Sequence, residues 1–363
     1  MNLPSTEYRN VLCVRGLTTQ FQTKSGTVTA VNGVSFNLKR GEILALVGES
    51  GSGKSQTGYS LMELVDAPGR VTAGQVLLGD VDVRQFTEAQ WRAIRGKRIA
   101  MIFQDPMLTL NPVLRIDTQM IEAVRAHRRV SKAQARALSR QALMKVGIAS
   151  PDARLLSYPH EFSGGMRQRV AIAIALLHEP DVIIADEPTT ALDVTIQEQI
   201  LFEMQRLTKE TGTALVWITH DLSVVAGLAD TVAVMYAGQI VEHGPTQSVL
   251  QQPQHPYTVG LLNSAPSRNL RGVPLHQIPG SPPMLSQLPP GCAFASRCER
   301  AQPACSAPPS LLPSPVVPYK AGYLSGVGQE VGAVNTDHVE RLVRCFFPCS
   351  AASPFDATLK AAS

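Results

Sequence analysis

The strongest chemical signal in the chain is the run Gly48-Glu49-Ser50-Gly51-Ser52-Gly53-Lys54-Ser55. It fits the spacing G-x-x-x-x-G-K-[ST], in which glycines let successive backbone N–H groups curl around phosphate oxygens at the start of a helix. In that geometry Gly48, Ser50, Gly51, Gly53 and Gln56 frame the phosphates. Lys54 reaches the β and γ phosphates, and Ser55 offers its hydroxyl to Mg²⁺. A chance glycine-rich turn is the alternative. The flanks argue against it, because an apolar run, Ile43 to Val47, precedes the loop and a helical pattern, Gln56 to Leu64, follows it.

A second group of residues suits the same chemistry. Asp181-Val-Ile-Ile-Ala-Asp186-Glu187 sets two carboxylates at the end of a buried apolar strand. Asp186 is expected to hold Mg²⁺, directly or through water, while Glu187 polarises the attacking water. A capping pair before Pro188 is the competing reading. Phe162-Ser163-Gly164-Gly165-Met166 then precedes a helix expected from about Arg167, so its backbone donors and the positive helix end form a second anion site. One nucleotide does not need two such sites in one subunit. Ser163 and Gly165 make sense if they close on the γ phosphate of ATP held by a second subunit; a plain helix cap is the alternative.

These residues need an α/β scaffold. Val28 to Leu38 alternates apolar and polar residues, and short apolar runs at Val182 to Ala185 and Ala214 to Ile218 read as buried strands around a helix near Ile196 to Leu207. Between about 87 and 164 the sequence turns to Arg, Ala, Gln and Leu with helical periodicity, and reads as a helical subdomain. Beyond about Pro266, Pro and Gly become dense and periodicity fails. A nucleotide-binding domain over 1–265 and a small irregular C-terminal region over 266–363 are expected. No internal repeat is found, so a single ATPase unit is expected.

Bulk properties narrow the function classes. With 363 residues, 44% apolar and 17% charged, the chain can bury a large core. A formal charge of +4 without long basic runs does not suggest nucleic-acid binding. Met1 to Asn10 lacks the pattern of a cleaved secretory signal, and the apolar stretch Val170 to Leu177 is far short of the roughly 20 residues a membrane span needs, so a cytoplasmic chain meeting the membrane through partners is expected. The six cysteines are placed unevenly, Cys13 alone and five in the last quarter, which argues against a disulfide framework.

Six motifs in order now resemble the ATP-binding cassette (ABC) family from Val11 to about Pro266. They are the P-loop, Gln104 in Phe103-Gln-Asp-Pro, Ser-Gly-Gly at 163–165, Asp186-Glu187, Asp193 in Thr190-Ala-Leu-Asp, and His220 in Thr219-His-Asp. The resemblance implies a RecA-like P-loop NTPase fold. It further implies that Gln104 contacts Mg²⁺ or the lytic water and reports to a transmembrane partner, that His220 contacts the γ phosphate, and that Asp193 links two active sites across a dimer. The family's adenine-stacking aromatic would be Phe21, a core role being its alternative. Met166 departs from the Gln of many cassettes but leaves the Ser163 hydroxyl and the glycine donors in place.

Within the family, Ile102-Phe-Gln-Asp-Pro-Met, Tyr158-Pro-His, Ala185 to Gln197 and His255-Pro-Tyr-Thr are similar to the oligopeptide/dipeptide importer ATPases of bacteria. So is the tail, with Gly291-Cys292, Arg297-Cys298, Cys305, His338 and Arg344-Cys345. This implies an ATPase at the cytoplasmic face of the bacterial inner membrane, paired with a second, unlike ATPase subunit. Two permease subunits and a periplasmic or lipid-anchored peptide-binding protein would complete the importer. A soluble cassette switch acting on ribosomes or DNA is the rival. Such proteins usually carry two cassettes or a long coiled-coil insertion, and neither is found here. In some members of the group the tail cysteines hold an iron–sulfur cluster. Cys292, Cys298, Cys305 and Cys345 are the corresponding four, with Cys349 as a substitute; four thiolates suit [4Fe–4S] or zinc, and reduced packed thiols are the alternative.

Overall fold

The computed structural model describes residues 10–190, 192–265, 276–314 and 341–349. His338 lies outside them.

Two sheets pack across a shared apolar cluster that includes Val14, Phe36, Leu46 and Ile184. β1 (Asn10–Thr23) and β2 (Gly26–Lys39) form a long antiparallel hairpin, extended by β4 (Gly69–Leu78) and β5 (Val81–Asp82) in the order β2-β1-β4-β5. The alternation expected from Val28 to Leu38 is realised, since Val31, Val34, Phe36 and Leu38 point into the core.

The second sheet carries the chemistry. β3 (Ile43–Val47) lies between β8 (Ala214–Thr219) and β9 (Thr231–Tyr236), parallel to both, and β7 (Val182–Asp186) lies beyond β8. Every residue of β3, β7, β8 and β9 is buried, as parallel strands covered on both faces must be. That is why these strands read as unbroken apolar runs. Helix α8 (Val194–Thr211) connects β7 to β8 and α9 (Leu222–Leu228) connects β8 to β9, while α1 (Lys54–Leu61) follows β3 and leads to β4 of the other sheet.

One reading needs correction. The segment taken as helical from about 87 to 164 contains β6 (Ile99–Ile102), which pairs with β7 and forms an edge of the large sheet. Four apolar residues do not distinguish a buried strand from a turn of buried helix. The helices around it are α2 (Glu88–Ile94), α3 (Pro106–Thr109), α4 (Ile116–His127), α5 (Lys132–Lys145), α6 (Pro151–Leu155) and α7 (Gly164–Leu176). Capping boxes at Thr87/Gln90 and Ser131/Gln134 start α2 and α5. Met120, Val124, Ala135 and Leu143 bury the facing sides of α4 and α5, and an ion pair from Arg136 to Asp117 at 2.7 Å ties them together.

The described C-terminal residues join the large sheet. β10 (Gln239–Pro245) pairs antiparallel with β9, and β12 (Leu342–Val343) pairs with β10 while β11 (Leu312–Pro313) pairs with β12. The large sheet therefore ends in the order β11-β12-β10-β9-β3-β8-β7-β6. At this seam the fully buried Glu242 carboxylate accepts from the N–H groups of Gln254 and His255, each at 2.9 Å, and from Arg341 at 2.8 Å. A buried carboxylate is tolerable only when it is paired and hydrogen-bonded in this way. Phe294 completes the seal, packing against Tyr236 and against Tyr257 of the helix Pro256–Asn263. Burial of such a ring contributes about 2 kcal/mol by apolar area.

Candidate functional site

The loop from Gly48 to Gly53 joins the buried strand β3 to α1, so its N–H groups open at the end of the sheet, ahead of a helix N-terminus. Two glycines are sterically required. Gly48 has φ 156°, and a Cβ there would lie 2.3 Å from the Met235 carbonyl oxygen; Gly53 has φ 100°, and its Cβ would lie 2.5 Å from the Ala30 oxygen. The loop can approach a ligand closely because side chains have been removed where the backbones meet.

A cleft of about 840 Å³ opens over this loop. Gly48, Ser50, Gly51, Gly53, Lys54, Ser55 and Gln56 line it, together with Gln104, Glu187 and His220 from three other segments. Its size lies within the range of nucleotide-sized ligand pockets. Lys54 Nζ donates to the carbonyls of Gly48 at 2.9 Å and Glu49 at 3.1 Å. Burial pulls its ammonium below the usual lysine range, opposed by the charges of Glu187, Asp186 and Glu49.

Ser55 Oγ donates to Asp186 Oδ1 at 2.9 Å. Burial pushes the Asp186 carboxyl up from the ordinary range, with the neighbouring Glu187 acting in the same direction and the Ser55 hydrogen bond and Lys54 acting against it. A hydroxyl and a carboxylate side by side at the end of the phosphate loop are hard oxygen donors of the kind Mg²⁺ takes, alongside phosphate oxygens and water. The residues present fit that ion.

Glu187 is the focus of the polar groups. Its backbone is held at φ 44°, in the left-handed region, and its N–H donates to Ile218 O at 3.0 Å. A non-glycine residue in that region carries strain of order 1 kcal/mol, which the surroundings must hold. The carboxylate lines the cleft. Its Oε2 accepts from Thr190 Oγ1 at 3.0 Å, lies 3.1 Å from His220 Nδ1, and is reached by Gln104 Nε2 at 3.5 Å. Three of the residues singled out from sequence thus meet at one oxygen, and Thr190 joins them.

Other residues lie elsewhere. Ser163 caps α7, accepting from Met166 N at 3.3 Å, and Asp193 caps α8, accepting from Ile196 N at 3.0 Å. The two caps are neighbours, because a Cβ on Gly165 would lie 2.6 Å from Ile196 Cγ2. Neither Ser163, Gly165 nor Asp193 lines the cleft of its own chain. Phe21 does not line it either; its ring packs over Gly69, where a Cβ would lie 2.4 Å from Phe21 Cε1. The apolar part of the wall is instead made by Ala30, Leu261, Pro282 and Leu285. Pro282 and Leu285 fall in the Pro- and Gly-dense stretch where periodicity fails, so no local signal marks them.

In the tail, Cys292, Cys298, Cys305 and Cys345 line one small cavity with His255 and Phe294, and Cys349 is outside its lining. Burial raises the thiols of Cys292 and Cys298 and pushes Cys345 up to about 11. The cavity encloses only about 10 Å³, room for a single water. Among the described residues no three His, Cys, Asp or Glu side chains stand together in a metal-holding group. The thiols converge, but in this arrangement they do not fit around a four-iron cluster.

Comparison with known proteins settles the family. The ABC transporter family profile matches residues 31–190, and the profile of the oligopeptide/dipeptide transporter C-terminal region matches residues 241–305. The dipeptide transport ATP-binding protein DppD of Bacillus subtilis is 51% identical over 81% of this chain and 88% of its own length. The oligopeptide transport ATP-binding protein OppD of Escherichia coli is 48% identical over 83% of this chain and 89% of its own.

The chain belongs to the ABC transporter ATPases.

Within them it groups with the oligopeptide/dipeptide transport ATP-binding proteins. The fold agrees with this ABC ATPase assignment. A dimeric ATP-binding cassette solved in a post-hydrolysis state with ADP and Pi superposes with a TM-score of 0.59 at 26% identity, covering 65% of this chain and 98% of that one. Among the described residues of this ATPase, no helix is long and apolar enough to cross a membrane.

Proposed function

We propose that the chain is the ATP-hydrolysing subunit of a bacterial peptide importer, acting at the cytoplasmic face of the membrane. It would pair with a second, unlike cassette subunit and drive two permease subunits fed by a periplasmic or lipid-anchored peptide-binding protein. The observation that carries this reading is the match of the tail, residues 241–305, to a region particular to oligopeptide/dipeptide transporters, in addition to the cassette itself.

At the site, the P-loop N–H groups and Lys54 hold the β and γ phosphates. Ser55 and Asp186, with Gln104, would hold Mg²⁺, which when bound would supply positive charge to phosphate oxygens. Glu187, its Oε2 held by Thr190 and His220, positions and polarises the attacking water. His220 also faces the γ phosphate. Ser163 and Gly165, standing outside their own cleft, close on the nucleotide of the partner subunit, and Asp193 connects the two sites. Most of the catalysis is then positioning and charge stabilisation.

The functional test is uptake of a labelled oligopeptide into vesicles carrying the co-transcribed subunits. Transport that needs ATP and disappears in Glu187→Gln supports the reading; uptake indifferent to that substitution overturns it. Cluster or zinc binding by Cys292, Cys298, Cys305 and Cys345 is a separate part of the proposal, supported by the lining of one cavity by all four. It requires the thiols to lose their protons and the cavity to widen. Iron and zinc analysis of anaerobically purified protein tests it: iron near four per chain, or zinc near one, supports metal binding, and metal-free protein leaves a packed thiol core.

A further inference from the structure

Glu49 is the one charged side chain inside the phosphate loop apart from Lys54. Arg297 reaches it from the tail, 248 residues later: Nη1 donates to Oε2 at 2.8 Å and Nη2 to Oε1 at 3.1 Å. This is a two-pronged guanidinium–carboxylate pair, the strongest geometry such a pair adopts. The Arg297 side chain is only 4% exposed. Its Nε donates to Pro279 O at 2.9 Å, and its guanidinium carbon lies 5.9 Å from the ring centres of both Tyr236 and Phe294. The arginine is thus seated in a built socket.

The same loop residue is held at its other groups. Glu49 N–H donates to the Tyr257 hydroxyl at 2.8 Å, and Glu49 C=O accepts from Lys54 Nζ at 3.1 Å. Tyr257 packs against Tyr236 at 4.6 Å and Phe294 at 5.4 Å, so both contacts to Glu49 rise from one aromatic cluster to which the tail contributes Phe294.

We propose that Arg297 is a positioning residue of the nucleotide site: its ion pair with Glu49 fixes the phosphate loop in the form that receives ATP, so that nucleotide affinity depends on the tail being folded in place. The inference rests on the reading of the P-loop cleft as an ATP site. Arg297 touches no phosphate; it acts through the peptide units around Glu49, whose neighbours supply the phosphate-facing N–H groups. It lies between Cys292 and Cys298 in the chain, so whatever orders that turn also orders the loop.

The test compares Arg297→Gln, Glu49→Gln, the double substitution and Arg297→Lys in the full chain, with a fluorescent ATP analogue for affinity and the assembled transporter for turnover. Each Gln variant should weaken nucleotide binding about tenfold, the low range for coupling between linked sites, and the double variant should be no weaker than the worse single one. Arg297→Lys, which keeps one prong, should recover part of the loss. KM for ATP should rise with kcat within about twofold, because the chemistry at Glu187 is untouched. A fall in kcat at constant KM, or strictly additive losses, would mean that the pair only supports folding and would overturn the proposal. Unchanged affinity in every variant, with normal binding by the parent chain, overturns the clamp alone. A parent chain that does not bind ATP overturns the clamp and the nucleotide reading together.

Discussion

Ser55 and Asp186 stand 131 residues apart in the chain and are joined by a hydrogen bond of 2.9 Å at the end of two parallel strands separated by one other, β8. The pair marks the edge of the cleft at which Mg²⁺ is proposed to sit. Asp186→Asn keeps the shape and a hydrogen-bond acceptor but removes the charge. ATP affinity in the presence of Mg²⁺ should fall to the value measured in EDTA, while the parent chain should show a clear difference between the two conditions. Equal Mg²⁺ enhancement in both proteins would remove Asp186 from the ion.

Glu187→Gln should retain nucleotide binding and lower turnover by about 10²-fold or more, the scale of a lost general base. Thr190→Val, which deletes one of the donors orienting Oε2, should lower turnover by a smaller factor of about tenfold without changing binding. Single-turnover hydrolysis alongside equilibrium binding separates the two effects, and normal turnover in Glu187→Gln would sink the role assigned to it.

Gly165→Val should leave ATP binding by the isolated subunit near normal, since Gly165 does not line its own cleft. It should abolish hydrolysis by the assembled pair. The added Cβ would meet Ile196 Cγ2 at 2.6 Å, displacing the start of α8 along with the cap at Asp193. Loss of binding in the isolated chain would contradict a role across the dimer.

Gly48→Ala forces φ 156° on a residue with a Cβ and drives it into a backbone carbonyl that cannot rotate away. The expected loss is about 3 kcal/mol of stability or more, visible as a lower urea midpoint, and with it the stabilisation otherwise produced by added ATP.

Acid should weaken the fold through His243. Its Nε2 is buried without a hydrogen-bond partner among the described residues, and burial holds its pKa down at about 4. A pKa depressed by folding means that the unfolded chain takes up the proton first. Stability is therefore complete above about pH 6.5 and is lost as pH falls toward about 4, by up to about 1.4 kcal/mol per unit. Urea midpoints for the parent chain and His243→Leu between pH 7.5 and 5 should converge in slope at high pH and diverge below 6.5, the variant being flatter. Parallel curves throughout would exclude this histidine as a source of acid sensitivity.

What the sequence makes legible is what local pattern encodes. Phosphate-loop spacing, apolar runs of buried parallel strands and carboxylates at a strand end each lie within a dozen residues, and the structure brings Lys54, Gln104, Glu187 and His220 to one cleft. β6 was hidden because four apolar residues carry no period. The wall made by Pro282 and Leu285 was hidden because nothing in a proline-rich stretch says which surface it lies on. The ring of Phe21, which the family resemblance offers to adenine, lies over Gly69, a placement set by pairing between β1 and β4 that no local pattern states. Nothing in the sequence pairs Arg297 with Glu49; only closure of the fold makes them partners.

The last strand pair has a consequence in time. β10 leaves the ribosome about a hundred residues before β12, its partner along the sheet edge, and Arg297 emerges between them. During synthesis the cassette half therefore exists for several seconds, at roughly 5–20 residues per second, with an open β-edge and an unclamped phosphate loop. The sheet edge and the proposed clamp on Glu49 are therefore completed together, by residues of the same late-made tail.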